Sequence, residues 1–175
     1  HEYLLDFPGK QDVLRYTLIA TAPETKDNDF TWKDFQARNN NELVAVLGNF
    51  INRTMVLTHN YYKGVTPGAG PMQSSDEELL KLLQTSAGAI GERISKYRLR
   101  EALSLMMDVA RAGNKYLADH EPWKLVKTDL EAAKTVLFNA VQSLRVASIL
   151  LKPFIPKAAE MIYRSFNFPT PWDQV

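Results

Sequence analysis

The feature that most constrains the fold is a helical spacing of apolar residues in four long segments between residues 39 and 151. In each segment apolar side chains recur every three to four residues, which places them on one face of an α-helix. Glycine and proline punctuate the intervals between these segments. The spacing predicts helices over 39–62, about 76–94, 98–119 and 130–151, with a short fifth helix after Pro156.

Helix starts and connection lengths define the fold class. Ser75 with Glu78, and Thr128 with Glu131, have the spacing of capping boxes, which predicts that they open the second and fourth long helices. The connections are short, so the sequence predicts an all-α, antiparallel helical bundle. Residues before 39 carry turn and breaker signals and are predicted to form a small irregular unit.

Composition excludes several function classes. The 175 residues include 21 basic and 20 acidic side chains, a net charge of +1, which is not that of a basic nucleic-acid-binding arm. The absence of cysteine excludes a disulfide scaffold, a cysteine-ligated zinc site and a thiol nucleophile. No apolar run is long enough to span a membrane, so we expect a cytoplasmic protein without a membrane partner. The chain starts at His1 rather than Met, which predicts a piece of a longer protein.

Patterns typical of catalysis are missing. The glycine-rich stretch 64–70 is not followed by the Lys-Ser/Thr of a phosphate-binding loop. The histidines have no partner at helical metal-ligand spacing, and the acidic run 76–78 is explained by a helix N-terminus. The sequence therefore predicts no catalytic residue, no metal ligand and no cofactor in this chain.

A binding surface is the remaining possibility. Asn49 and Arg53 lie four residues apart, outside the apolar face of the first long helix, and together offer the groups that hydrogen-bond base edges and a phosphate. A merely solvated helix face explains the same pair. Trp123 follows a helix break at Pro122, where it can stack on an unpaired base or close the end of the core.

Basic residues leave a similar choice open. Lys124 and Lys127 lie close to Trp123 in sequence and favour contact with nucleic acid. The densest basic stretch either follows a phosphate backbone or forms ion pairs within its helices with Glu92 and Glu101. Its members are Arg93, Lys96, Arg98 and Arg100.

Four segments together resemble the C-terminal part of methionyl-tRNA synthetases, and the resemblance covers nearly the whole chain. Their order and separations match as well as their residues. The segments are DFTWKDFQARNNNELVAVLGNFINRTM, YRLREALSLMMDVARAGNKYLADHEPWKLVK, LLKPFIPKAAEMIYRSF and the closing PWDQV.

The resemblance implies the last two parts of a class I aminoacyl-tRNA synthetase. Residues 1–38 would be the end of the catalytic and stem-contact region, and residues 39–175 the α-helix-bundle domain that binds the anticodon. In this family an Asn-x-x-x-Arg pair and a Trp after a Pro read the anticodon CAU. These positions correspond to Asn49, Arg53 and Trp123 here. Possible additional tRNA contacts are Asn114, Lys124 and Lys127.

The resemblance also implies partners that act through the parent enzyme. They are tRNA(Met), both elongator and initiator, with methionine and ATP bound by the catalytic domain, which in many members also holds zinc. The HIGH-type and KMSKS motifs of that domain are not in this sequence, so this chain alone is expected not to activate methionine. Two alternatives are the anticodon bundle of a related synthetase for Val, Ile, Leu or Cys, and a helical module that binds a partner protein.

Overall fold

The computed structural model describes residues 2–24 and 27–175, and the regular structure within these residues is helical, with no strand. None of the helices there is both long and apolar enough to cross a bilayer. In chain order the elements are α1 (Glu2–Asp6), α2 (Gln11–Ala20), α3 (Trp32–Arg38), a π-helical stretch (Asn39–Gly48), α4 (Asn49–Tyr62), α5 (Ser74–Ser95), α6 (Leu99–His120), α7 (Pro122–Thr128), α8 (Leu130–Leu150), α9 (Pro156–Arg164) and a closing 3-10 turn (Trp172–Gln174).

The predicted all-α bundle is confirmed. Helices α5, α6 and α8 begin and end within two residues of the predicted bounds, and Pro156 occupies the first turn of α9 as expected. Helices α5, α6 and α8 pack against one another, α4 packs against α6 and α8, and α9 packs against α8, around a continuous apolar core. Its largest fully buried side chains include Phe50, Met106, Met107, Leu117, Leu137, Leu144 and Phe154.

The first long helix begins at Trp32, seven residues before the predicted start. Thr31 caps it, because its hydroxyl accepts a hydrogen bond from the backbone N–H of Asp34 at 3.1 Å. The backbone stays in the right-handed helical region at both ends of the π-helical stretch, with φ −66° at Arg38 and φ −64° at Asn49. One continuous helix therefore passes through the point where a domain boundary was expected.

The predicted irregular unit is wrong for residues 11–20, which form the regular helix α2. An isolated helix of this length is marginal in water, so contacts with the bundle must stabilise it. Tyr16 and Thr17 are buried against the bundle, and the Asp12 carboxylate accepts a hydrogen bond from the backbone N–H of Ala158 at 2.7 Å. Long-range contacts thus hold a segment that turn signals alone left unassigned.

The predicted capping box of Ser75 and Glu78 is also wrong. Helix α5 starts at Ser74, and the carboxylate of Asp76 accepts a hydrogen bond from the backbone N–H of Gln73 at 2.7 Å. Ser75 instead hydrogen-bonds the ring of His120 at 2.9 Å, which ties α5 to the end of α6. The pair that forms the box, Gln73 and Asp76, lacks the Ser or Thr of the sequence rule, so the rule does not identify it.

The second predicted box, Thr128 with Glu131, fails because Thr128 is still part of α7. Asp129 caps α8, with its carboxylate accepting from the backbone N–H of Ala132 at 3.0 Å. We expect Asp129→Ala to lower the free energy of unfolding by about 1 kcal/mol. Thr128→Ala is the matched control and should change it by less than about 0.5 kcal/mol. Urea unfolding followed by circular dichroism measures both, and a larger loss for the Thr128 variant would contradict the assignment.

Candidate nucleic-acid interface

The first two predicted site residues share one surface of α4. Asn49 is exposed and Arg53 is partly exposed. The segment from 49 to 62 is regular α-helix, so the two side chains lie one turn apart, about 6 Å along the axis. Phe50 and Thr54 lie on the adjoining face of the helix, about 100° further round, and are fully buried in the core. Burial of that face fixes the surface that carries Asn49 and Arg53.

A close helix crossing brings α6 beside this surface. A Cβ atom added at Gly113 would lie 2.4 Å from two ring carbons of Phe50, so only glycine allows the ring to pack there. Phe50 follows Asn49 in sequence, and Asn114 follows Gly113. The contact between the ring and the glycine therefore places Asn49 next to Asn114.

Asn114 joins the site through hydrogen bonds. Its Oδ1 accepts from Nδ2 of Asn49 at 3.1 Å. Its own Nδ2 donates to the backbone carbonyl of Val46 at 2.8 Å and more weakly to that of Ala110 at 3.3 Å. Val46 lies in the π-helical stretch, so this amide links α6 to the turn that precedes α4.

Trp123 reaches the same surface from α7. Helix α6 ends at His120, Glu121 takes a left-handed conformation with φ +43°, and buried Pro122 opens α7. The reversal directs the partly exposed indole of Trp123 toward α4, where the guanidinium of Arg53 lies over the ring, 5.1 Å from its centroid. This distance is typical of a cation–π interaction. Four of the predicted residues thus form two neighbouring pairs, Asn49 with Asn114 and Arg53 with Trp123.

The predicted lysine contacts follow Trp123 on the same short helix. Lys124 and Lys127 are exposed on α7. The ammonium of Lys124 forms an ion pair with Glu121 at 2.8 Å. Such an exposed pair is weak in water, so a phosphate can replace the carboxylate at little cost. The lysines add positive charge without shaping the site.

A buried polar cluster supports the end of α6 behind this surface. The Tyr116 hydroxyl donates to the carboxylate of Asp76, which is 2% exposed, and accepts from Nδ2 of Asn139 at 3.1 Å. Burial, and then the hydrogen bond to Asp76, raise the pKa of Tyr116, so its hydroxyl stays a neutral donor. His120 Nδ1 lies 2.9 Å from the carbonyl of Tyr116. Within the run 76–78, Asp76 therefore has a buried hydrogen-bonding role, whereas Glu77 and Glu78 are exposed at the helix N-terminus.

The dense basic stretch does not join the interface. Arg93 pairs with Glu101 at 2.9 Å, and Lys96 pairs with Glu92 at 2.6 Å. The pair of Lys96 with Glu92 matches the alternative of ion pairs within a helix and lowers the pKa of Glu92, whereas the pair of Arg93 with Glu101 joins α5 to α6. Elsewhere, within residues 2–24 and 27–175, no three His, Asp or Glu side chains come together as metal ligands would.

Sequence reasoning missed two parts of this interface. Gly113 was assigned no role from the sequence, although its missing side chain sets the spacing of α4 and α6. The second missed part is the backbone carbonyl of Val46, which cannot be predicted from residue type because every residue has a backbone carbonyl. A glycine inside a strongly amphipathic helix was the one available signal for the first.

Family models divide the chain into two matched parts. Residues 66–174 match the model described as the anticodon binding domain of methionyl tRNA ligase. Residues 2–55 match the model described as tRNA synthetases class I (M). The first match covers more than half of the chain.

Curated relatives agree with these matches. The chain is 55% identical over 167 residues to the methionine–tRNA ligase of Cytophaga hutchinsonii, covering 95% of this chain and 24% of that protein. It is 57% identical over 162 residues to the ligase of Flavobacterium psychrophilum, covering 93% of this chain and 24% of that protein. It is 53% identical over 176 residues to the ligase of Phocaeicola vulgatus, covering 100% and 26%. The chain thus spans about a quarter of these relatives.

Solved structures show the same fold. The free form of Mycobacterium tuberculosis methionyl-tRNA synthetase superposes with a TM-score of 0.82 at 24% identity, over 86% of this chain and 31% of that one. The same enzyme with methionyl-adenylate gives a TM-score of 0.83. Taken with the family model and the curated relatives, the helical fold leads to one conclusion: this chain belongs to the family of methionyl-tRNA ligase anticodon-binding domains.

Proposed function

We propose that this surface binds the anticodon of a tRNA, with Asn49, Arg53 and Trp123 as the residues that contact its bases. The observation that carries the proposal is that two pairs of side chains lie on one surface. Asn49 is hydrogen-bonded to Asn114, and the guanidinium of Arg53 lies over the ring of Trp123. Together they offer an aromatic ring, a planar cation and an oriented amide to a single-stranded ligand. Unpaired bases are read in this way, by stacking and by hydrogen bonds to their edges.

Selectivity follows from what a wrong base leaves unpaired. A base that stacks on Trp123 would bring its polar edge to the amide of Asn49 or the guanidinium of Arg53. A mismatched edge leaves a desolvated donor or acceptor without a partner, at a cost of about 1–3 kcal/mol. The anticodon proposed from the family resemblance is CAU. Lys124 and Lys127 would contact phosphates and contribute affinity but little selectivity.

In a complete ligase the bundle of residues 39–175 would select the tRNA, and residues 1–38 would contact its stem. The preceding catalytic part would form methionyl-adenylate from methionine and ATP and transfer methionine to elongator and initiator tRNA(Met) in the cytoplasm. ATP, and zinc where a member has it, would bind to that part. The segment described here would supply recognition and no chemistry.

A fluorescence titration tests the proposal directly. Replacing Trp32 and Trp172 by Phe leaves Trp123 as the only tryptophan. We expect an anticodon stem-loop that carries CAU to quench this fluorescence, because a stacked base lies against the indole. A loop with an unrelated anticodon should bind at least roughly tenfold more weakly.

Repeating the titration at several salt concentrations separates base recognition from contacts with phosphates. Phosphate contacts weaken steeply as salt rises, whereas the ratio between the two anticodons should change little. Equal binding of both loops at every salt concentration would contradict anticodon recognition and reduce the surface to a generic phosphate contact. Asn60→Ala is a suitable control, since Asn60 is an exposed asparagine of the same helix and should bind like the parent chain.

A further inference from the structure

Backbone carbonyls fix the orientation of the Asn114 amide. Two carbonyl oxygens, those of Val46 and Ala110, lie 2.8 and 3.3 Å from the same terminal atom of this side chain. A carbonyl only accepts hydrogen bonds, so that atom must be the nitrogen. The other terminal atom of Asn114, which faces Asn49, is then the oxygen.

The orientation of the Asn114 amide also fixes that of the Asn49 amide. The Asn49 atom that lies 3.1 Å from Oδ1 of Asn114 must be a donor, so it is Nδ2. The Oδ1 acceptor and one remaining N–H of Asn49 are left for a ligand, in a fixed order. Asn49 is exposed, and without this partner its amide could turn over and present the opposite order.

The order of donor and acceptor decides which bases fit. Cytosine and adenine carry an exocyclic amino group, which donates, beside a ring nitrogen that accepts. Uracil and guanine carry a keto oxygen at the corresponding position, and their ring N–H donates. An amide free to rotate can pair with either set, so alone it discriminates poorly.

We propose that Asn114 is a positioning residue that locks Asn49 with its oxygen toward the ligand, so that Asn49 selects an anticodon base with an exocyclic amino group over one with a keto group. This inference rests on the proposed function, in which Asn49 contacts a base. It assigns Asn114 no direct contact with the RNA. The Val46 carbonyl fixes the donor and acceptor ends of the Asn114 amide, and Asn114 in turn fixes those of the Asn49 amide that faces the base.

The test compares stem-loops that differ by a single amino-to-keto replacement. From CAU, one loop has uracil in place of cytosine and a second has inosine in place of adenine; a third loop has an unrelated anticodon. We expect one of the two replacements to weaken binding to the parent chain by roughly tenfold or more. In Asn114→Ala that ratio should fall to about threefold or less, because the Asn49 amide is free to turn over.

Two further variants separate positioning from contact. Asn114→Leu keeps the approximate size of the side chain but can neither donate to the carbonyls nor accept from Asn49, so it should lose the ratio as the alanine variant does. In an Asn49→Ala background, Asn114→Ala should have no further effect on the ratio, because it acts only through Asn49. Asn60→Ala should keep the full ratio. Thermal unfolding of each variant confirms that the protein measured is folded.

Different contrary outcomes would overturn different parts of the proposal. An unchanged ratio in folded Asn114→Ala or Asn114→Leu, with all loops weakened equally, would overturn the positioning role. Additive losses in the double variant would show direct contact with RNA and overturn it as well. Equal binding of both keto loops and CAU, with CAU still preferred over the unrelated loop, would refute the inference alone. No preference for CAU over the unrelated loop would refute the proposed function too.

Discussion

Trp123→Ala in a complete methionine–tRNA ligase that carries this segment is expected to lower aminoacylation efficiency by roughly 10- to 100-fold, because one stacked base is lost. The guanidinium of Arg53 also loses the ring over which it lies, so its orientation toward the RNA is no longer held. Methionine activation, measured by pyrophosphate exchange without tRNA, should be unchanged, since it would not involve this surface.

The comparison of the two assays is the internal control. Trp123→Phe keeps an aromatic face and should recover most of the aminoacylation. Because Trp123 is partly exposed and sits on a short helix, we expect its replacement to leave the core folded. An equal loss in both assays would indicate misfolding and contradict the assigned role.

Gly113→Ala should be the most damaging small substitution at the site. The new Cβ would meet the fully buried ring of Phe50 at 2.4 Å, and neither the ring nor the helix backbone can move aside cheaply. Overpacking of this kind costs about 1–3 kcal/mol, which outweighs the helix-forming advantage of alanine. Separation of α4 from α6 would also part Asn49 from Asn114, so affinity for a CAU stem-loop should fall with stability.

Two other glycines provide matched controls. Gly88 and Gly91 lie on α5, and a Cβ at either position meets nothing within 4 Å. Alanine there should raise the free energy of unfolding by about 0.5–1 kcal/mol, because it limits the freedom of the unfolded chain. Urea unfolding compares the three variants. Stabilisation by Gly113→Ala would show that the helices can separate without cost and would contradict the role of the close approach.

Sequence periodicity predicted the long helices well and their ends less well. Apolar spacing reports which face of a helix is buried, and this averages over many residues. Capping depends on single residues. Gln73 with Asp76 caps α5, and Asp129 caps α8, in place of the predicted Ser75 and Thr128. For α2 the local signals were turns, whereas its stability comes from contacts with helices distant in sequence, α6 and α9.

The site shows the same division. Asn49 and Arg53 are neighbours because an α-helix places residues four apart on one face, so their pairing could be predicted from spacing. Spacing alone could not predict whether these residues, or Trp123, have a role beyond solvation or packing. Sixty-five residues separate Asn49 from Asn114, and no local rule brings them together.

The sequence by itself determined that this chain forms an all-α bundle, because the free energy of burying regularly spaced apolar side chains depends on their order along the chain. It also supplied the Asn-x-x-x-Arg pair and the tryptophan after a proline. Only the tertiary structure decided that these residues meet, through the ring of Phe50 against Gly113 and the left-handed turn at Glu121. It alone decided the direction of the Asn49 amide, since a hydrogen bond has a polarity that no residue letter records until its partner is in place.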